Sequence, residues 1–218
     1  MHTVKLVGTE ASFDVGKIVC LARNYVDHIR ELGNEAPDKP ILFLKPGSCL
    51  VEDGEKVVVP AYSQLCHHEV ELAILIGEAG KDIPEGEAMT HVAGYGIGLD
   101  MTLRDVQNEL KSKGLPWEMA KAFDTSCPLS QFVPTSRIPD PHNLDISLKV
   151  NGEVRQAANT SMMMRSIPAI IHAVSEIFTL EPGDVILTGT PAGVGAVESG
   201  DLMRAEIEGI GILEVGVA

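Results

Sequence analysis

What this 218-residue chain has little of narrows its function before any motif is read. Basic residues are scarce: 17 Lys and Arg stand against 31 Asp and Glu, a formal net charge of −14. Nucleic acids and anionic membranes need a basic face, so neither is expected as a partner. Cysteine pairs are missing. Cys20, Cys49, Cys66 and Cys127 are scattered with no CxxC spacing, which excludes a zinc ribbon and argues against a disulfide-stapled fold. They are expected as reduced core or site-wall residues. No charged-then-apolar leader opens the sequence, and no apolar run approaches the ~18 residues of a membrane span. A soluble, cytoplasmic protein is the expectation. Nucleotide fingerprints are incomplete as well. The run Gly94–Gly98 lacks the third glycine of GxGxxG, and Gly189–Gly195 lacks the Gly-Lys-Ser/Thr ending of a phosphate loop. Without repeats, linkers or low-complexity segments, residues 1–218 read as one β-rich α+β domain.

What is present centres on Cys66–Gly77. Val70, Leu72, Ile74 and Ile76 are apolar at every second position, the period of a half-buried strand. Glu69 and Glu71 then share the opposite face. Two carboxylates beside a core repel each other and are costly to leave unpaired. A hard divalent cation would satisfy both; a solvated strand face that carries two acids is the plainer alternative. His67 and His68 are adjacent, so only His67 can share the glutamates' face, and His68 reads as a hydrogen-bonded core or interface histidine.

Around that strand the pattern is legible in outline. Short strands are expected near Gly16, with Ile18–Leu21 buried, then a helical Val26–Leu32 and a turn-rich, mobile Gly33–Asp38. Pro40–Pro46 and Val57–Pro60 read as strands ended by proline. Glu85–Met89 has helical character, and Thr102–Lys111 should be a helix capped near Thr102. The alternate glycines Gly94, Gly96 and Gly98 let another chain segment approach one strand face, which also carries Asp100. Leu148–Arg155 is a hairpin turned by Asn151-Gly152 in type I′ geometry. Ile167–Phe178 is a helix with Pro168 in its first turn, followed by a strand at Asp184–Thr188.

Glu69, Glu71 and Asp100 would form an oxygen-only, half-open site suited to Mg²⁺ or Mn²⁺. His28 and Glu31, three apart on one helical face, form a possible acid–base pair, although such pairs are common on solvated helices. Lys121 lies near Trp117 and Phe123 in sequence. It is either a partly buried cation that favours a developing oxyanion or a surface lysine packed on aromatics. Arg23, Arg104 and Gln107 are candidate grips for a substrate carboxylate.

Arg23-Asn24-Tyr25 with His28 and Glu31, then His68-Glu69-Val70-Glu71-Leu72, resemble the fumarylacetoacetate hydrolase family. So do Gly98-Leu99-Asp100-Met101-Thr102-Leu103-Arg104-Asp105-Val106-Gln107, Lys121-Ala122-Phe123-Asp124 and Leu187-Thr188-Gly189-Thr190-Pro191. In this order the motifs are highly specific, and they run from about Val19 to the C-terminus. The chain is most similar to the short, single-domain branch, which includes acylpyruvases and oxaloacetate decarboxylases. The resemblance implies a mixed β-sheet roll with few short helices, paired as a homodimer. It implies Mg²⁺ or Mn²⁺ on Glu69, Glu71 and Asp100, and a lid bearing His28 and Glu31 to activate water. Lys121 would stabilise the oxyanion, with Arg23, Tyr25, Arg104, Gln107 and Thr190 against a small 2-oxo-acid substrate. The expected reaction is hydrolysis of the C–C bond of an acylpyruvate, such as acetylpyruvate or fumarylpyruvate, to pyruvate and a carboxylic acid. The alternatives are an oxaloacetate decarboxylase or keto–enol tautomerase, or a decarboxylase/isomerase of aromatic-acid breakdown. A binding protein without turnover is the competing class.

Overall fold

The computed structural model describes residues 2–31, 33 and 35–218. The expectations for Leu32 and Asn34 lie outside the described residues.

Two mixed sheets carry the fold. The first has six strands in the order Val133–Pro134, Val92–Leu99, Val70–Ile76, Val185–Leu187, Lys17–Ala22 and Ile41–Pro46. Its neighbours are antiparallel except for Val185–Leu187 with Lys17–Ala22, which run parallel. The second has five strands, Glu153–Asn159, Asp145–Val150, Leu202–Ile207, Gly211–Val217 and Lys56–Val57, closed by a parallel pair at the last position. A three-stranded ribbon joins Thr102–Leu103, Cys66–His68 and Gly195–Val197. The α-helices among the described residues are Val26–Glu31, Arg104–Ser112, Glu118–Lys121 and Ile167–Ile177. The class is α+β. None of these helices is long and apolar enough to cross a membrane.

The central strand explains the layering. Val70, Leu72, Ile74 and Ile76 face a core shared with the five-stranded sheet, through Leu148, Met203 and Leu213, and with Ile170 and Val174 of the long helix. The other face of the strand is not solvated. Ala73 and Leu75 pack into a second cluster with Ile18, Cys20, Cys127 and Leu187, so the strand is buried on both sides, as a central strand between two layers must be. That second cluster also takes Cys49, and all four cysteines are buried and unpaired.

Local boundaries shift from the sequence pattern for identifiable reasons. The expected helix Thr102–Lys111 begins at Arg104, because Thr102–Leu103 pairs as a strand with Cys66–His67. Thr102 does not cap the helix; its hydroxyl donates to the Asp100 carbonyl. Glu85–Met89 is replaced by a 3₁₀ turn at Ala88–His91. Val57–Pro60 reduces to Lys56–Val57, and Asp184 is spent on Lys17 rather than on a strand. The hairpin is as expected: Asn151 and Gly152 have φ of 51° and 84°. Ser166 caps the long helix by accepting from Ala169 N at 3.4 Å, ahead of Pro168 in the first turn.

The alternate glycines permit close approach, as their spacing predicts. A Cβ on Gly94 would lie 2.6 Å from the Val133 carbonyl oxygen, and one on Gly98 would lie 2.6 Å from Leu187 Cδ2. Gly94→Ala should therefore lower stability by about 1–3 kcal/mol, the cost of overpacking against backbone that cannot step aside. Denaturant melts measure this, and wild-type stability would show that the sheet edge at Val133–Pro134 is free to move.

Candidate metal centre

Strand register assembles the acidic cluster. Glu71 stands across from Gly98, and Asp100 N donates to the Glu69 carbonyl at 2.8 Å, so Asp100 lies across from Glu69 where the strand pair ends. Oxygens of Glu69, Glu71 and Asp100 lie within 4.8 Å of one another, and all three residues are buried. The solvated-face alternative is thereby excluded.

Cations from separate segments hold this cluster. Lys121 is 3 % exposed, and its ammonium donates to Glu69 Oε2 at 2.8 Å, Asp100 Oδ2 at 2.5 Å and Thr102 Oγ1 at 2.6 Å. Arg104 pairs with Glu69 Oε1 and donates to Gln107 Oε1 at 2.6 Å. Lys45, which sequence reasoning passed over as the end of an apolar strand, is fully buried with its ammonium 2.9 Å from Asp100 Oδ1. Among the described residues, Glu71 has no such partner. Its Oε2 accepts from Gly189 N, at 2.6 Å, a donor presented by a turn with φ of 93°.

The consequence is unequal protonation. Burial pushes the Glu69 carboxyl up, but the charges of Lys121 and Arg104 outweigh it and hold it well below the usual range. Burial, then the charges of Asp100 and Glu69, push Glu71 well above its ordinary value, and the Gly189 N–H offsets only part of this. Asp100 Oδ1 is met by the Lys45 ammonium as an ion pair at 2.9 Å. Three convergent buried carboxylates, one of them disfavoured as an anion, fit a hard divalent cation.

The cluster floors a small cavity, about 40 Å³ in volume and open on one side. His28, Arg23, Arg104, Gln107, Lys121 and Thr190 line it, along with Phe43, Lys111 and Trp117. Lys121 lies 5.0 Å from the Phe43 ring centre, so its aromatic neighbour is Phe43 rather than the expected Trp117 or Phe123. His28 is buried, with Nδ1 3.3 Å from Glu31 Oε2, and Glu31 Oε1 accepts from Gly193 N at 3.0 Å. Thus Glu31 supports His28 from behind and does not line the cavity. Burial lowers the His28 pKa from 6.5, while the charges of Glu69 and Glu31 offset part of the shift.

Other expected residues fall outside the cavity. Tyr25 is buried and lines a separate recess with Met162 and Pro191. Its neighbours divide the work: Arg23 adopts φ of 60°, and Asn24 donates to the Thr188 carbonyl at 2.9 Å, pinning the helix start. Thr190 reaches the cavity wall, but its hydroxyl donates to the Val70 carbonyl at 2.8 Å. His68 is a core histidine with Nδ1 3.0 Å from Gln156 Oε1. His67 does not line the cavity; burial, then Arg104, push its pKa down to about 4. Lys45 and Gly189 had no signal in their own residue types. The nearest was a lysine placed among Ile41–Leu44 in a strand otherwise apolar.

The family model for the C-terminal domain of fumarylacetoacetate hydrolase matches residues 17–218. The chain belongs to this family. Among its relatives, the mitochondrial oxaloacetate tautomerase FAHD1 of Bos taurus is 56 % identical over 88 % of this chain and 87 % of its own. The oxaloacetate tautomerase YcgM of Escherichia coli is 46 % identical over 93 % of both chains. The fumarylpyruvate hydrolase of Pseudomonas aeruginosa, solved with Mn²⁺ and pyruvate, has a TM-score of 0.95 at 39 % identity, covering 100 % of this chain and 95 % of that one. The family domain accounts for the mixed-sheet α+β architecture, and the named relatives are enzymes.

Glu71→Gln separates metal binding from stability. The metal-free variant should melt at or above the wild-type temperature, since it removes the carboxyl that burial and two neighbours disfavour. Its Mn²⁺ affinity, read by titration calorimetry, should fall by at least ~10-fold. Wild-type affinity would remove Glu71 from the ligand set.

Proposed function

We propose that this chain is a Mg²⁺- or Mn²⁺-dependent enzyme of small 2-oxo acids, and that keto–enol tautomerisation of oxaloacetate is its main reaction. The observation that carries this reading is the cationic wall of a small cavity. Arg23 and Lys111 line it with Arg104 and Lys121. Arg104 and Lys121 pair with Glu69 and Asp100, and Arg23 and Lys111 extend the positive charge of the same wall. Burial, then the charges of Arg23 and Arg104, lower the Lys111 pKa. Crowded cations of this kind suit a second carboxylate. Oxaloacetate has one on the methylene carbon, where acetylpyruvate has an uncharged acetyl group. The high identity to two oxaloacetate tautomerases supports the same choice.

A divalent ion on Glu69, Glu71 and Asp100 would polarise the keto oxygen as a Lewis acid. The residues then divide the proton traffic. The neutral His28 imidazole accepts a proton from the methylene carbon, with Glu31 holding the far ring nitrogen and stabilising the imidazolium. The three protons of Lys121 are already engaged by Glu69, Asp100 and Thr102, so it acts as a fixed positive charge beside the developing oxyanion. Returning the proton to that oxygen completes the enol, and no net proton is consumed.

The second reading is acylpyruvate hydrolysis, with pyruvate and a carboxylic acid as products. It is favoured by the braced His28–Glu31 pair, which is suited to deprotonating water, and by the likeness to a fumarylpyruvate hydrolase. Arg23→Met distinguishes the two. The Michaelis constant for oxaloacetate should rise by about 10-fold, the loss of one charge-assisted contact, while that for acetylpyruvate stays nearly level. Equal loss on both substrates, or acetylpyruvate as the faster wild-type substrate, would favour hydrolysis.

The pH profile is a separate check on the base. Because the folded His28 pKa is lowered from 6.5, the active neutral form persists into mildly acidic solution. In the wild type, kcat/KM for tautomerisation should be flat at neutral pH and fall only below 6.5, with a limb that His28→Ala abolishes along with most activity. An acid limb retained in His28→Ala would assign it to another group.

A further inference from the structure

Lys45 is a buried cation that neither reading above uses. It stands on the edge strand Ile41–Pro46, paired across from Ile18, and is 0 % exposed. Phe43, two residues earlier and so on the same strand face, lies under the Lys121 ammonium. The Lys45 ammonium reaches past the second core cluster to oxygens from several segments. It lies 2.9 Å from Asp100 Oδ1, 3.4 Å from the Met101 carbonyl, 3.0 Å from the Ser126 carbonyl and 3.1 Å from Ser126 Oγ. It also donates to the main-chain carbonyl of Lys121, which takes a further bond from Ser126 Oγ at 2.9 Å. These acceptors outnumber the three protons of an ammonium. The group therefore gathers oxygens much as a small cation would. Burial alone would lower its pKa, but the Asp100 charge more than restores it, so Lys45 stays protonated.

We propose that Lys45 is a positioning residue for the metal centre: its ammonium fastens the ligand Asp100 and the main chain of Lys121 to one point. The end of the Val92–Leu99 strand carries Asp100, and the short helix Glu118–Lys121 carries Lys121. Among the described residues no strand pairing joins these two segments, whose direct link is the Lys121 ammonium on Asp100 Oδ2. Lys45 bridges them from the far edge of the sheet. Its loss would free Asp100 to turn and would let the Lys121 carbonyl drift from the cluster that its own side chain neutralises. The effect is on geometry at the ligands and not on substrate contact, since Lys45 does not line the cavity.

This inference rests on the metal centre proposed above, and the test uses Mn²⁺ alone so that the two can fail separately. Mn²⁺ binding is measured by calorimetry on the wild type, Lys45→Met, Asp100→Asn and the double variant, with metal-free melts of each. Lys45→Met should weaken Mn²⁺ binding by roughly 10- to 100-fold, the usual effect of removing a group that orients a ligand. The double variant should bind no more weakly than Asp100→Asn alone, because Lys45 acts through that side chain. If Lys45→Met does not fold, the double variant should, since it no longer buries an uncompensated carboxylate. Mn²⁺ affinity of Lys45→Met within 2- to 3-fold of wild type (on the order of 0.5 kcal/mol) would overturn the proposal. So would additive losses in the double variant, or a double variant as unfolded as the single. Wild-type protein that takes up no Mn²⁺ would overturn the metal centre itself.

Discussion

The rest of the structure depends on the repulsion among three carboxylates buried within 4.8 Å of one another. Unpaired burial of even one carboxylate costs several kcal/mol, so the fold has to deliver positive charge to the same place. It does so from three directions: Lys45 from the edge strand, Arg104 from the start of its helix and Lys121 from the end of another. Glu69 and Asp100 are thereby each paired with cations, and Glu69 is held well below the usual carboxylate range. Among the described residues, Glu71 is left with a main-chain donor and no cation of its own, and so has most to gain from a bound dication. The arrangement trades stability of the metal-free protein for a strong demand for metal.

One loop connects this cluster to the His28–Glu31 pair. Gly189 N–H binds Glu71, the Thr190 hydroxyl binds the Val70 carbonyl, and Gly193 N–H binds Glu31. Gln156 of the five-stranded sheet holds the same loop, donating to Thr190 Oγ1 at 2.8 Å and to the Pro191 carbonyl at 2.9 Å. A Cβ at Gly193 would fall 2.1 Å from the Arg155 carbonyl oxygen, and the residue has φ of 98°, so only glycine lets the loop lie so close to the sheet. His28 and the carboxylate cluster are in this way referred to one segment, as the proton transfer proposed above would require.

The cationic wall sets the substrate against the background of an acidic chain. A net charge of −14 repels small dianions at long range, although salt screens that effect beyond ~10 Å. Attraction of the dianion proposed above would therefore be local, to Arg23, Arg104, Lys111 and Lys121 along one cavity. The acidic surface and the cationic interior do not conflict, because they act over different distances.

The sequence by itself determined the central strand, the hairpin at Asn151-Gly152, the close-packed glycine face and the shared face of Glu69 and Glu71. These follow from short-range rules: side chains two apart share a strand face, and Asn-Gly accepts positive φ. His28 with Glu31 was legible for the same reason, one turn apart on a helix. Tertiary structure alone decided whether the glutamates' face met water or charge, since alternation reads the same in both cases. It placed Tyr25 outside the cavity, made Phe43 the neighbour of Lys121, and moved the helix start from Thr102 to Arg104. It also brought Lys45 and Gly189 to the carboxylates from 55 and 89 residues' distance in number from Asp100. Charge compensation in a core is a contact between segments far apart in the chain, and a local pattern carries no record of it.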